Sequence, residues 1–352
     1  MKLRKIAVLI PAHNEEKVIG KTLGSLLKFV TPQDLYVVSD GSNDSTEEIA
    51  RKYTSNVFSL NLTVGKATAM NRAIRKFKLA ERYRYLIPMD ADTIPTASFI
   101  KATLPILEKD KEEKIACVVG KVVGYGNNWI TAYRLWEYEI AQTIHKTAQA
   151  KESAVIVCPG CATIYRTKVF KTLEIPTGTL TEDMDFTFLI HRKKVGKIVF
   201  TEEAKVVTQD PRTLKDFLKQ IRRWYTGFWQ TVLKHEIPWG GQPLDFEVAL
   251  LASEGIFNGL IVIILLVLLP VVLFKNPMAL AIPFAIDLLG FMIPTLFLTA
   301  ARNNVWKIFF YLPHFYFLRV VSSLIFLKSF LSVLLVKDLK VGWNKAVRYT
   351  VK

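Results

Sequence analysis

Two aspartates in the segment MDADT (89–93), Asp90 and Asp92, are the first candidates for chemistry. Asp90 is the last residue of the apolar run YLIPMD (85–90), and Asp92 follows two residues later. The composition of this run is typical of a buried strand. Two carboxylates this close repel one another unless a cation lies beside them. Oxygen ligands suit a hard divalent ion, whose remaining open sites can bind a diphosphate. Aspartates that only cap the next helix fit equally well, although Thr93 and Ser98 are also available as caps.

A second acidic group, TEDMD (181–185), contains Glu182, Asp183 and Asp185. One of these carboxylates is a candidate general base if an acceptor hydroxyl comes within hydrogen-bond reach. Acidic residues are also favourable at the N-terminus of a helix, where the helix dipole is positive. The segment by itself is consistent with either interpretation.

Two turn-like motifs follow other apolar runs. DGSNDST (40–46) places Asp40 after LYVVS (35–39), where its carboxylate could accept hydrogen bonds from a nucleobase or a ribose, or only form a turn and a helix cap. GKATAMN (65–71) joins Gly65 and Lys66 to a helix start, which can help to hold a phosphate or a nucleobase. It lacks the length and the glycine spacing of a P-loop.

The stretch QIRRWYTGFWQ (220–230) combines arginines with aromatic residues. On a helix, Gln220, Arg223 and Trp224 lie at i, i+3 and i+4 and therefore share one face. Arginine can form two hydrogen bonds to a diphosphate, and tryptophan offers a flat surface to a sugar ring. Anchoring at a membrane interface is the alternative, and it suits Trp229 and Trp239 better.

The composition indicates a membrane protein with a basic surface. The chain has 352 residues, of which 51% are hydrophobic, and a formal net charge of +16. No motif that reads a nucleic-acid groove is present, so we predict no nucleic-acid partner. Three cysteines argue against a disulfide framework, and the spacing in CPGC (158–161) has no second pair to complete a zinc site.

Strand-like and helix-like segments alternate over residues 1–210. Apolar runs at 5–10, 35–39, 85–90 and 115–120 alternate with helical patterns at 15–29, 44–53, 65–79 and 96–109. This order predicts an α/β domain with a mostly parallel sheet and helices on both faces. Ligands of such sheets bind at the carboxyl ends of the strands, where several of the motifs above begin.

The chain becomes apolar after residue 246. Residues 248–274 contain one charged residue, Glu254, and residues 279–300 contain one, Asp287, so each segment is long enough to cross a bilayer as a helix. The third apolar region, 305–336, is interrupted by charges such as Arg319, and we predict an interfacial or re-entrant segment there. The basic tail, by the positive-inside tendency, is expected in the cytoplasm, which favours two spans.

In this order, PAHNEE, DGSND, GKATAMN, DAD, CPGCATIYR, TED and QIRRW resemble the motifs of family 2 inverting glycosyltransferases. The membrane-embedded branch, which includes hyaluronan, cellulose and poly-N-acetylglucosamine synthases, is the most similar. The resemblance implies a GT-A fold that binds a nucleotide sugar, usually a UDP-sugar, and an α-helical transmembrane and interfacial region after it. The ending GWNKAVR (342–348) is loosely similar to the tryptophan-plus-arginine ending of these enzymes.

The resemblance also implies roles for individual residues. Asp92 and Asp90 are then the DxD pair that binds Mg²⁺ or Mn²⁺, with Asp92 the more direct ligand, and Asp183 is the catalytic base beside Glu182. The implied substrate-binding residues are Pro11, Glu15, Asp40, Lys66, Asp90, Gln220, Arg223 and Trp224.

The resemblance leaves the acceptor open. A polysaccharide acceptor at the cytoplasmic membrane face is our first expectation, and transfer of one sugar to a membrane lipid is the alternative. The domains expected are a GT-A catalytic domain (1–210), interfacial helices with QIRRW (211–246), a transmembrane hairpin with an amphipathic or third membrane segment (247–336) and a basic cytoplasmic tail (337–352). The polymer-exporting synthases typically have spans before the catalytic domain, so we expect that export here would either require oligomerisation or not occur.

Overall fold

The computed structural model describes residues 4–124, 127–276, 278–336 and 348–349. Its sheet has eight strands in the order β3-β2-β1-β4-β7-β6-β8-β5. The strands are β1 (Arg4–Ala12), β2 (Leu35–Asp40), β3 (Val57–Leu60), β4 (Tyr83–Pro88), β5 (Ile94–Pro95), β6 (Ile115–Val123), β7 (Thr163–Arg166) and β8 (Lys197–Val207).

The sheet is mixed and mostly parallel, which confirms the predicted α/β class. β1 pairs in parallel with β2 and with β4, and β2 pairs in parallel with β3. The short strand β7 is antiparallel to both of its neighbours, β4 and β6. Since β1, β2 and β4 run in the same direction, Pro11, Asp40 and Pro88 lie near one edge of the sheet.

Fourteen α-helices occur in the described ranges. They are α1 (Ile19–Leu26), α2 (Thr46–Arg51), α3 (Lys66–Lys76), α4 (Leu79–Arg82), α5 (Ala97–Lys109), α6 (Trp129–Ile140), α7 (Thr147–Lys151), α8 (Lys168–Thr172), α9 (Glu182–Arg192), α10 (Leu214–Lys234), α11 (Pro243–Lys275), α12 (Met278–Asp287), α13 (Ile293–Asn303) and α14 (Leu312–Leu335). π-Helical turns at Ala141–Lys146 and Leu288–Met292 join α6 to α7 and α12 to α13, and 3₁₀ turns occupy Pro32–Asp34 and Trp306–Tyr311.

Apolar side chains cover both faces of the sheet. In β1, Leu9 belongs to the core cluster that includes α3, whereas Val8 and Ile10 belong to the opposite cluster with α1 and α5. This alternation follows from the two-residue period of a strand. A strand buried on both faces needs apolar residues at every position, which explains the continuous apolar run of β1.

Three helical segments in the described ranges are long and apolar enough to cross a membrane: Pro243–Val272, Met278–Asn303 and Trp306–Leu335. This finding rests on length and composition only, since no membrane is present. The third segment includes the region for which we expect an amphipathic or a third membrane segment, and the number of spans stays a prediction. α14 packs along α10, where Phe315 and Leu318 meet Phe217 and Ile221.

An ion pair between α12 and α14 explains the polarity of the third segment. Arg319 donates to both carboxylate oxygens of Asp287 at 2.8 and 2.9 Å, and the Tyr316 hydroxyl donates to Asp287 at 2.7 Å. Charged residues inside apolar helices usually pair with one another. The positive charge of Arg319, on which the interfacial interpretation partly rested, is therefore balanced by Asp287 of α12. Glu254, on α11, is exposed.

Candidate active site

One large cavity, of about 1640 Å³, lies between the carboxyl edge of the sheet and the C-terminal helices. Asp92, Asp183 and Trp224 all line it, as one shared ligand requires. The sequence-predicted residues in its lining are Pro11, Glu15, Lys66, Asp90, Asp92, Glu182, Asp183, Gln220, Arg223 and Trp224. Their individual roles stay predictions.

Asp40 is the predicted residue that does not line the cavity. It is fully buried at the end of β2, and its carboxylate accepts hydrogen bonds from the backbone N–H groups of Val64 and Gly65 at 2.8 and 2.9 Å. Gly65 has a φ of +92°, which favours glycine, and it precedes the first residue of α3. Asp40 therefore fixes the loop that brings Lys66 into the cavity.

Lys66 joins the two acidic motifs. Its ammonium group lies 2.7 Å from Asp90 and 2.8 Å from Glu182. Burial by itself would lower the pKa of Lys66, but the neighbouring carboxylates outweigh burial and hold this pKa well above its usual value. Lys66 therefore remains charged and keeps the two acidic motifs together.

Asp183 has a perturbed carboxyl group at the start of α9. Burial, assisted by the negative charge of Glu182, raises the pKa of Asp183 to about 6, although Lys66 opposes the shift. A base with a pKa near 6 is largely ionised at neutral pH and is a stronger proton acceptor than an ordinary aspartate. This combination is suited to general-base chemistry.

Arg348, in the C-terminal tail, also lines this site. Its guanidinium donates to both oxygens of Glu15 at 2.6 Å and pairs with Asp92. Burial raises the pKa of Asp92, and the charge of Asp90 adds to this, while Arg348 opposes it. Tyr349 exchanges two hydrogen bonds with Gln209. Arg348 ends the GWNKAVR segment noted above, and the rest of the tail (337–347 and 350–352) lies outside the described residues.

The helix α10 holds its QIRRW face against α6. Arg134 donates to Gln220, pairs with Glu137 at 2.6 Å, and lies with its guanidinium carbon 4.3 Å from the centre of the Trp224 ring. Arg223 donates to the backbone oxygen of Leu180 at 3.1 Å. Sequence reasoning missed Arg134, although an Arg and a Glu at i, i+3 in an otherwise mostly apolar helical segment are a recognisable signal.

The matching family model is described as "Glycosyltransferase like family 2" and covers residues 4–227. The chain belongs to this family. A probable glycosyltransferase YdaM of Bacillus subtilis (strain 168) is 27% identical over 246 residues, which cover 66% of the chain and 57% of that protein. A poly-β-1,6-N-acetyl-D-glucosamine synthase of Staphylococcus epidermidis is 25% identical over 244 residues, which cover 64% of the chain and 57% of the synthase. The chain thus spans less than two thirds of these relatives.

The fold is similar to that of a mannosyltransferase from Pyrobaculum calidifontis, whose structure was solved with GDP-Man and Mn²⁺. The TM-score is 0.60 at 16% identity, and the match covers 96% of this chain and 89% of that one. The resemblance to family 2 and the expected GT-A fold are confirmed.

Close packing between α9 and α10 generates a prediction. A Cβ at Gly227 would lie 2.5–3.0 Å from atoms of Thr181, the residue before Glu182. Gly227→Ala should therefore lower the free energy of unfolding by about 1–3 kcal/mol, as overpacking does. It should also lower activity, because Asp183 moves with Thr181. Thermal unfolding and sugar transfer measure the two effects.

Gly24→Ala is the matched control, since its Cβ would meet Tyr53 at an ordinary 3.5 Å within α1. This variant should be as stable as the wild type or more stable. Adding Thr181→Ala to Gly227→Ala should restore part of the lost stability. Equal stability of Gly227→Ala and Gly24→Ala would contradict the close contact.

Proposed function

We propose that this chain transfers a sugar from a nucleotide-sugar donor, with inversion at the anomeric carbon, to an acceptor held at the cytoplasmic face of the cell membrane. The observation that carries the proposal is the single cavity, in which the acidic pair Asp90 and Asp92, the candidate base Asp183 and the QIRRW face meet. Family membership and the names of the relatives support glycosyl transfer. The resemblance favours a UDP-sugar as the donor.

The donor diphosphate would lie between the acidic pair and two cationic residues. Lys66 and Arg223 line the cavity, and an arginine can bind a diphosphate through two hydrogen bonds. Trp224 also lines the cavity and would support the acceptor sugar or headgroup through its ring. The charge that develops on the departing nucleotide is stabilised by these donors.

Asp90 and Asp92 are the residues that would hold Mg²⁺ or Mn²⁺. They fit such an ion, because two carboxylates face one cavity and Asp92 is already paired with a cation, the guanidinium of Arg348. Among the described residues no three His, Cys, Asp or Glu side chains converge into a metal site, so diphosphate oxygens would complete the ligand set. The ion, when bound, would neutralise charge on the leaving diphosphate.

Asp183 would remove the proton of the acceptor hydroxyl as the hydroxyl oxygen attacks the anomeric carbon and the nucleotide diphosphate departs. The raised pKa supports this role. Glu182 would act through Asp183 and Lys66: its charge raises the pKa of the base, and its carboxylate helps to hold the lysine at the donor.

The geometry favours a lipid acceptor. Beyond Asp183 the cavity continues along α11, α12 and α14 without a break. Apolar side chains predominate in this part, and the ion pair of Asp287 and Arg319 also lines it; the apolar residues include Leu251, Ile261, Leu265, Leu280 and Phe284. An apolar wall beside helices that can span a membrane suits an acyl or isoprenoid chain, whereas a polar polymer would leave its hydroxyl groups without partners.

A polysaccharide acceptor is the second candidate. It was our first expectation, and the names of the staphylococcal relatives support it.

The size and solubility of the product separate the two acceptors. Full-length protein in native membranes, incubated with labelled UDP- or GDP-sugars and Mn²⁺, should give one labelled product that organic solvent extracts. Asp183→Asn should abolish it while donor binding persists, whereas Glu81→Gln, at an exposed position of α4, should retain activity. A high-molecular-weight ladder would support the polysaccharide acceptor instead, and no transfer from any donor would refute the enzymatic proposal.

The pH dependence of transfer provides a second test. Because Asp183 must be ionised to act as a base, kcat/KM should fall as the pH drops through about 6. Glu182→Gln removes a negative charge that raises the pKa of Asp183. The acid limb of the pH profile of kcat/KM should therefore lie at lower pH in this variant. Glu203→Gln, at an exposed position of β8, is the control and should leave the acid limb of the pH profile in place. An unchanged limb in Glu182→Gln would remove Asp183 as the titrating base.

Arg348 and a divalent ion should compete for Asp92. In Arg348→Ala we expect the affinity for Mn²⁺, measured by calorimetry without nucleotide, to rise roughly fivefold, which corresponds to an ion pair of about 1 kcal/mol. Arg222→Ala removes the same charge from the exposed side of α10 and should leave the affinity unchanged. Equal affinities in both variants would contradict Asp92 as a ligand.

A further inference from the structure

Lys146 is a buried cation in the cavity without an acidic partner. It ends the π-helical turn Ala141–Lys146, is 6% exposed and lines the cavity. Its ammonium group donates to the backbone oxygen of Val157 at 3.2 Å. Within the described ranges it forms no ion pair with a carboxylate. π-Helical turns often occur at functional sites.

Other buried cations of the chain are paired. Lys121 lies 2.8 Å from Glu139, and Arg134 lies 2.6 Å from Glu137. A buried charge without an opposite charge is costly, and burial accordingly lowers the pKa of Lys146. Such a group is expected where an anionic ligand completes the pair.

The position of Lys146 is on the acceptor side of Asp183. Val157, which it contacts, follows Ile156, and Ile156 packs in one cluster with Phe228 and with Ala252 of α11. Met184, the residue after the candidate base, packs against the same cluster. Lys146 therefore lies where the polar cavity meets the apolar wall of α11.

Two lysines of the cavity, Lys66 and Lys146, lie close to the carboxylate of Asp183. Asp183 acts electrostatically on Lys66 and on Lys146. Lys66 is held by Asp90 and Glu182 at the donor end. The donor diphosphate has Lys66 and Arg223 available, which leaves Lys146 for a different anionic group.

We propose that Lys146 binds the phosphate of a lipid acceptor, whose hydrocarbon chain lies along the mainly apolar wall formed by α11 and α12. The inference deepens the proposed function, on which its acceptor role rests, by naming a phosphate-bearing lipid as the substrate class. A lysine is a compact charge that binds phosphate without the planar geometry that arginine requires. The apolar continuation of the cavity distinguishes a lipid phosphate from free phosphate.

The test measures binding of hexadecyl phosphate to the full-length protein in detergent, with hexadecanol as the uncharged probe. Lys146→Met should weaken hexadecyl phosphate binding at least about tenfold, the scale of one charge-assisted hydrogen bond. It should leave hexadecanol binding unchanged. Lys146→Arg should retain most of the affinity for the phosphate, and Lys151→Met, on the exposed end of α7, should match the wild type.

The fold of the variant is checked independently. Because Lys146→Met replaces a buried charge with an apolar side chain, its melting temperature should equal or exceed that of the wild type. Equal binding of hexadecyl phosphate by Lys146→Met and Lys151→Met would refute the subsite. Displacement of the probe by inorganic phosphate at the same concentration would show a site for free phosphate and would refute the lipid assignment.

Binding also distinguishes this inference from the proposed function. Asp183→Asn should bind hexadecyl phosphate normally and transfer no sugar. If no form of the protein transfers sugar but binding still depends on Lys146, the transferase proposal fails and the phosphate subsite stands. If transfer to lipid persists and Lys146→Met binds as the wild type does, the subsite fails alone.

Discussion

The concentration of carboxylates at one edge of the sheet is the constraint on which the site depends. Glu15, Asp90, Asp92, Glu182 and Asp183 all line one cavity. Like charges in a partly desolvated space raise one another's pKa and destabilise the fold unless cations are supplied. Two distant parts of the chain supply them, the start of α3 through Lys66 and the tail through Arg348. A site arranged in this way is ready to exchange a protein cation for positive charge that arrives with a substrate.

The backbone holds these charges with little freedom. Parallel pairing aligns the ends of β1 and β4, so Glu15 and Asp92 approach the same guanidinium from neighbouring loops. The carboxylate of Asp40 fixes the loop before α3, and the contact between Gly227 and Thr181 sets the distance from α10 to the start of α9. Such packing leaves few alternative positions for the charged groups, which is the preorganisation that electrostatic catalysis requires.

Features that depend on neighbouring residues in the sequence could be predicted, whereas features that depend on contacts between distant residues could not. The strands β1, β2, β4 and β6 could be predicted, and most of the predicted site residues line the cavity, because apolar runs and the motifs after them are local signals. The strands β5 and β7 are too short to give a period, and Asp287 pairing with Arg319 depends on the packing of two helices. The unusual environment of Lys146 arises only from what surrounds it in the fold. Local patterns cannot reveal which buried charges lack a partner.

The cavity has a charged end and a mainly apolar end, and this difference restricts the ligands that can fill all of it. One end is lined by the carboxylates of Asp90, Asp92 and Asp183. The other is lined mainly by apolar side chains of helices long and apolar enough to span a membrane, together with the Asp287–Arg319 pair. A ligand that fills both ends has to be amphiphilic, because a polar chain loses hydrogen bonds at one end and an apolar chain meets charges at the other. The positive charge of Lys146 between the two ends favours a ligand whose headgroup is negatively charged. An anionic headgroup beside Asp183 is stable only if a cation accompanies it, and the proposed subsite at Lys146 would supply one.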